Sequence, residues 1–90
     1  MQLKSLIELN KNESGIVRQI NESYSIKKLD LLTGDLESRL LEMGFIEGAK
    51  LTVLHYGLWG RDPIAVRVND SSSIISLRRL EASVIFVETV

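Results

Sequence analysis

Apolar residues along the chain repeat with two periods, and the change between them divides the sequence. A short opening segment, Ser5 to Leu9, is followed by the polar run Asn10-Lys11-Asn12-Glu13-Ser14-Gly15, whose residue types favour turns. Ile16-Val17-Arg18-Gln19-Ile20 is short and β-branched and predicts a first strand, broken by Asn21-Glu22-Ser23. Leu36, Leu40 and Met43 then fall at i, i+4 and i+7, placing one apolar stripe along a helix. Thr33 or Gly34 is its candidate cap, Asp35 faces the positive end of its dipole, Asp35 and Arg39 form an i,i+4 pair, and Gly44 stops it. Ile26, Leu29 and Leu32 or Thr33 are also near helical spacing, which predicts a second short helix from Ser25 to Leu32.

Past the turn Phe45-Ile46-Glu47-Gly48 the period drops to two. Lys50 to Tyr56 reads as a strand, and Pro63 to Val68 as a clearer one, with Ile64, Val66 and Val68 on one face and Ala65 and Arg67 on the other. Asn69-Asp70-Ser71-Ser72-Ser73 turns the chain back into Ile74 to Leu77, and Val84 to Val87 follows the bend Arg78 to Ser83. The sum is a mainly β fold of five short strands with one or two inserted helices. That is too little sheet for a sandwich, so the strands must curl into a small, partly open barrel to limit exposed edges. With 90 residues, one domain over 1–90 is all the chain can build.

Charge and composition narrow what such a module can do. Eleven Lys and Arg against twelve Asp and Glu give a formal net charge of −1, without the cationic excess of a general nucleic-acid binder. The absence of Cys removes disulfides, thiolate metal sites and thiol nucleophiles. The start lacks the charged head and continuous apolar run of a signal peptide, and no apolar stretch approaches a membrane span, so the expected compartment is the cytoplasm.

Reaction chemistry finds little to work with. His55 is the single histidine, and its place in a strand, alternating with Val53 and Gly57, predicts a sheet-surface or structural role. One His and no Cys do not make a zinc or iron site, and Asp62, Asp70 and Glu47 lack the spacing of a calcium loop, so neither metal nor cofactor is expected. Gly57-Leu58-Trp59-Gly60 has the form of a Gly-x-x-Gly phosphate loop but no flanking Lys pair, and reads as a hairpin tip. Its Trp59 either folds back over a barrel end or, with Tyr56 and Leu58 beside Arg61, forms an apolar anchor for a protein partner. Arg78-Arg79 is a further candidate contact.

Three motifs in order carry a family resemblance. Arg39-Leu40-Leu41-Glu42-Met43-Gly44-Phe45-Ile46-Glu47-Gly48 resembles the Arg-Leu-x-x-Met/Leu-Gly-hydrophobic-x-x-Gly signature of the ferrous iron transport protein A (FeoA) family. Asp62-Pro63-Ile64-Ala65-Val66-Arg67-Val68 is similar to its Asp-Pro strand, and Ile75 to Ala82 to its Leu-Arg-x-x-Glu-Ala turn. Two stretches depart from the pattern: Ser23 to Thr33 is longer, and Gly57 to Pro63 has one residue more, with Trp added.

The resemblance implies an SH3-like barrel acting in the cytoplasm beside FeoB, the membrane ferrous-iron permease. It would bind the permease's cytosolic GTP-binding region, meet the membrane only through that partner, and carry no iron, cofactor or catalytic site of its own. The expected contact is a cleft between the helix, through Leu40 and Met43, and the loop carrying Tyr56, Leu58 and Trp59. An exposed edge strand could also pair with a second copy of the chain. Two rivals remain: a regulatory barrel of the metal-dependent repressor kind, and an RNA-binding barrel using Arg61, Arg67, Arg78 and Arg79 with Trp59.

Overall fold

Tight turns and three register shifts, one in the second strand and two in the third, shape the sheet that the alternating half of the sequence builds. The computed structural model describes residues 3–21 and 35–89. Its elements are β1 (Leu3–Ser5), a 3-10 turn (Leu6–Glu8), β2 (Ser14–Ile20), α1 (Asp35–Glu42), β3 (Lys50–Trp59), β4 (Asp62–Val68), β5 (Ile74–Leu77), α2 (Arg79–Ser83) and β6 (Ile85–Thr89). The strands form one antiparallel sheet in the order β1-β6-β2-β3-β4-β5. Six strands therefore replace the expected five, because Leu3–Ser5 pairs with Phe86–Glu88 of β6. The 3-10 turn that follows is closed by the Ser5 N–H donating to Glu8 Oε1 at 2.9 Å, a local polar contact that strand alternation does not reveal. The helix expected at Ser25 to Leu32 and the cap at Thr33 or Gly34 lie outside the described residues.

Inward-facing side chains of the curled sheet meet the two helices in one core. Leu6, Leu9, Val17, Leu36, Leu40, Phe45, Leu51, Val53, Ile64, Val66, Leu77, Val84, Ile85 and Val87 are each at most 1% exposed. Helix α1 enters it through Leu36 and Leu40 and ends as its sequence demands. Gly44 has φ +104°, the Gly44 N–H donates to the Leu41 carbonyl at 3.1 Å, and the Phe45 N–H donates to the Leu40 carbonyl at 3.0 Å. These paired bonds are a Schellman motif, and Phe45 and Leu40 both belong to the core. Met43 is thereby pushed out of the predicted stripe and is 38% exposed.

The bend expected at Arg78 to Ser83 is mostly the one-turn helix α2. Its first turn is tied by the Arg78 N–H donating to Glu81 Oε1 at 2.9 Å, and Ala82 is fully buried. Helix α2 packs on the 3-10 turn, β4, β5 and β6, where the Ser5 hydroxyl donates to the Ser83 carbonyl at 2.9 Å. Ala65, expected on the outer face of β4, is buried along with Ile64 and Val66.

Candidate partner-binding surface

The β3–β4 ribbon decides where the anchor residues stand. β3 does not stop at Tyr56 as expected but runs to Trp59, so Gly57-Leu58-Trp59 is strand and the turn is only Gly60-Arg61. Both turn residues have positive φ, +66° and +64°, the requirement of a type I′ hairpin turn. Gly57 reads as a loop-former in sequence but is needed for a different reason. A Cβ there would lie 2.2 Å from the Asp62 carbonyl oxygen, so only glycine admits the returning strand.

Two register shifts set the facing of the side chains. One falls between Val53 and His55, so these two residues do not share a face as simple alternation predicts: Val53 is fully buried and His55 is exposed opposite Ala65. The other falls between Tyr56, which pairs with Ile64, and Trp59, which pairs with Asp62. It absorbs one extra residue in β3 instead of lengthening the turn. Beside it, Leu58 is 94% exposed, a large apolar side chain held almost wholly in solvent.

Tyr56 and Arg61 brace this projection. The Tyr56 ring packs against the core and its hydroxyl donates to the Leu9 carbonyl, with the Ile7 carbonyl oxygen 3.3 Å away, tying β3 to the segment after β1. The Arg61 guanidinium lies over the same ring, 4.0 Å from its centroid. Asp62, at the base of the turn, accepts the Arg79 N–H through Oδ1 at 2.9 Å. The hairpin tip and the start of α2 are thus joined, so the segment that carries Arg78 and Arg79 abuts the turn that carries Arg61. Seventeen positions separate Asp62 from Arg79, and no periodicity in the sequence announces the contact.

The five residues expected to line one cleft are not gathered in one. Leu40 is 1% exposed and belongs to the core, so it is a packing residue and not a surface contact. Met43 precedes Gly44, whose neighbour is Val68 at the far end of β4 from Asp62. Leu41 at 43% and Ile46 at 51% exposure are the other exposed apolar side chains of this stretch of the chain. Tyr56 and Leu58 stand at the hairpin end, where the described part of Trp59 is its backbone, paired with Asp62.

Groups for bond-making chemistry are sparse on the described surface. Among the described residues no cluster of three or more His, Asp or Glu side chains could hold a metal ion. Among the same residues, His55 makes no hydrogen bond to a serine. A cavity of about 330 Å³ opens between β2 and α1, but Arg18, Glu37 and Glu47 share its lining with Leu41 and Phe45. No helix among the described residues is long and apolar enough to cross a membrane.

Comparison with known proteins agrees with this architecture. The chain resembles the solution structure of the FeoA protein from Chlorobium tepidum, at 29% identity over 97% of this chain and 70% of that one, with a TM-score of 0.75. It also resembles FeoA of Stenotrophomonas maltophilia, solved with zinc and described as a prokaryotic SH3-domain protein and candidate ferrous iron transport activating factor. That likeness is 26% identity over 94% of this chain and 89% of the other, with a TM-score of 0.70. A manganese-dependent transcriptional repressor shares the fold at 19% identity, the whole of this chain matching 38% of the repressor with a TM-score of 0.76. No curated protein matches the chain in sequence. The family model described as the FeoA domain matches residues 4–89, nearly the full length, so the SH3-like barrel is that of a member of the FeoA domain family.

Proposed function

We propose that this protein is an accessory factor of ferrous iron uptake that docks onto the cytosolic GTP-binding region of the FeoB permease and carries neither iron nor a reaction of its own. Its membership of the FeoA family supports the iron-uptake role, and the exposed, braced hairpin end supports docking. The single observation that carries the reading is Leu58 at 94% exposure in a strand, beside Trp59 and held rigid by the Tyr56 and Arg61 contacts. A side chain on a paired strand needs little backbone ordering on binding and gains from the burial of its apolar surface. The contact residues are Leu58 and Trp59, with Tyr56 as their support; Met43 is exposed in another stretch of the chain, as are Leu41 and Ile46.

Such a module acts only by binding one state of its partner better than another, since equal affinity shifts nothing. Calorimetry with the GTP-binding region in its GDP, GTP-analogue and empty states tests this. The expected result is heat of binding in at least one state, and a loss of about 2 kcal/mol on Trp59→Ala. Unchanged affinity in that variant rejects the hairpin site. No binding in any state, or to full-length permease in membranes, rejects the partner.

A further inference from the structure

We propose that the hairpin end is an apolar plug set in a cationic collar, and that the protein surface it fits is an apolar socket rimmed by carboxylates. This inference rests on the docking reading above and adds the chemistry of the partner's surface. The plug is Leu58. The collar residues are Arg61, in the turn, and Arg78 and Arg79, in the segment that the Asp62 contact with the Arg79 N–H ties to that turn. Arg61 and Arg78 are exposed and Arg79 is half-buried.

Asp62 and Glu81, the carboxylates bonded to these segments among the described residues, are already engaged. Asp62 Oδ1 accepts the Arg79 N–H, while Glu81 accepts the Arg78 N–H through Oε1 and lies 3.6 Å from the Arg39 guanidinium through Oε2. Among the described residues, none of the three collar guanidiniums has a carboxylate within 4.0 Å. The Arg61 guanidinium lies over the face of Tyr56, 4.0 Å from the ring centroid. Guanidiniums match carboxylates in a two-pronged geometry that a lysine cannot reproduce. In a chain whose formal net charge is −1, this local cationic surface is a feature of one end and not of the whole.

Charge complementarity of this kind sets the rate and specificity of encounter, and salt screens it. The test measures affinity of the intact protein for the isolated GTP-binding region of the permease at about 0.05 M and about 0.5 M NaCl. The wild type is expected to lose about tenfold in affinity over that range. Arg61→Glu with Arg78→Glu loses about tenfold at low salt and becomes insensitive to salt, and the milder Arg61→Gln with Arg78→Gln lies between the two. Leu58→Ala weakens binding but keeps the salt dependence, and Lys50→Glu, a charge reversal at the far end of β3, binds as the wild type does. Equal wild-type affinity at both salt concentrations overturns the collar while leaving the docking reading intact. Absence of binding at either salt overturns both. Tighter binding to phosphatidylglycerol-containing vesicles or to random-sequence RNA than to the GTP-binding region overturns the carboxylate-rimmed protein socket as well.

Discussion

Gly57 and Leu58 are neighbours with opposite duties. Gly57 faces the returning strand at a distance that excludes any side chain, whereas Leu58 stands free in solvent. Gly57→Ala should therefore cost about 2 kcal/mol of stability, because the methyl group must displace the Asp62 backbone. Urea unfolding measures that loss directly, and Leu58→Ala in the same assay should change stability by less than about 0.5 kcal/mol. Tyr56→Phe removes the hydroxyl that reaches the Leu9 carbonyl and should cost about 1 kcal/mol by the same measurement. The exposure of Leu58 was only half legible in the sequence. An apolar pair between two glycines marks a special segment, but the glycines suggest a flexible loop, and only the register shift after Tyr56 shows a strand with one side chain turned outward.

Among the elements, α1 shows how a motif can be read correctly while one residue within it is misplaced. Gly44 ends the helix with positive φ, as its position predicts, but the resulting Schellman turn gives the next core position to Phe45 and exposes Met43. Leu40→Ala should destabilise the fold by about 3 kcal/mol, and Met43→Ala by less than about 1 kcal/mol, in thermal or chemical unfolding. If the two costs proved equal, the assignment of Leu40 to the core and Met43 to the surface would be wrong. Helix α2 was hidden for another reason. Five residues are too short for a periodic stripe, and its stability comes from a side-chain contact of Glu81 and from packing against elements remote in sequence. β1 is likewise defined by its partner β6, since three residues carry no alternation worth reading.

For the molecule as a whole, the class of fold follows from short alternating strands and a shortage of residues for two layers. The order of those strands is set by contacts between the chain's two ends, as β6 lies between β1 and β2. The same long-range closure joins α2 to the hairpin tip, two segments that local patterns left apart. Among the described residues, exposed Leu58 lies at the hairpin end of the β3–β4 ribbon, and Met43 lies by Gly44, whose neighbour Val68 is at the ribbon's other end. Leu58→Ala should abolish most of the binding while Met43→Ala reduces it by less than about threefold, if the hairpin end is the principal contact. The most direct trial of that account is calorimetric titration of the cytosolic GTP-binding region of FeoB with wild-type protein and with folded Leu58→Ala. Saturable binding by the wild type, weakened about tenfold by the substitution, is the predicted result. Binding of equal strength by both proteins would contradict it.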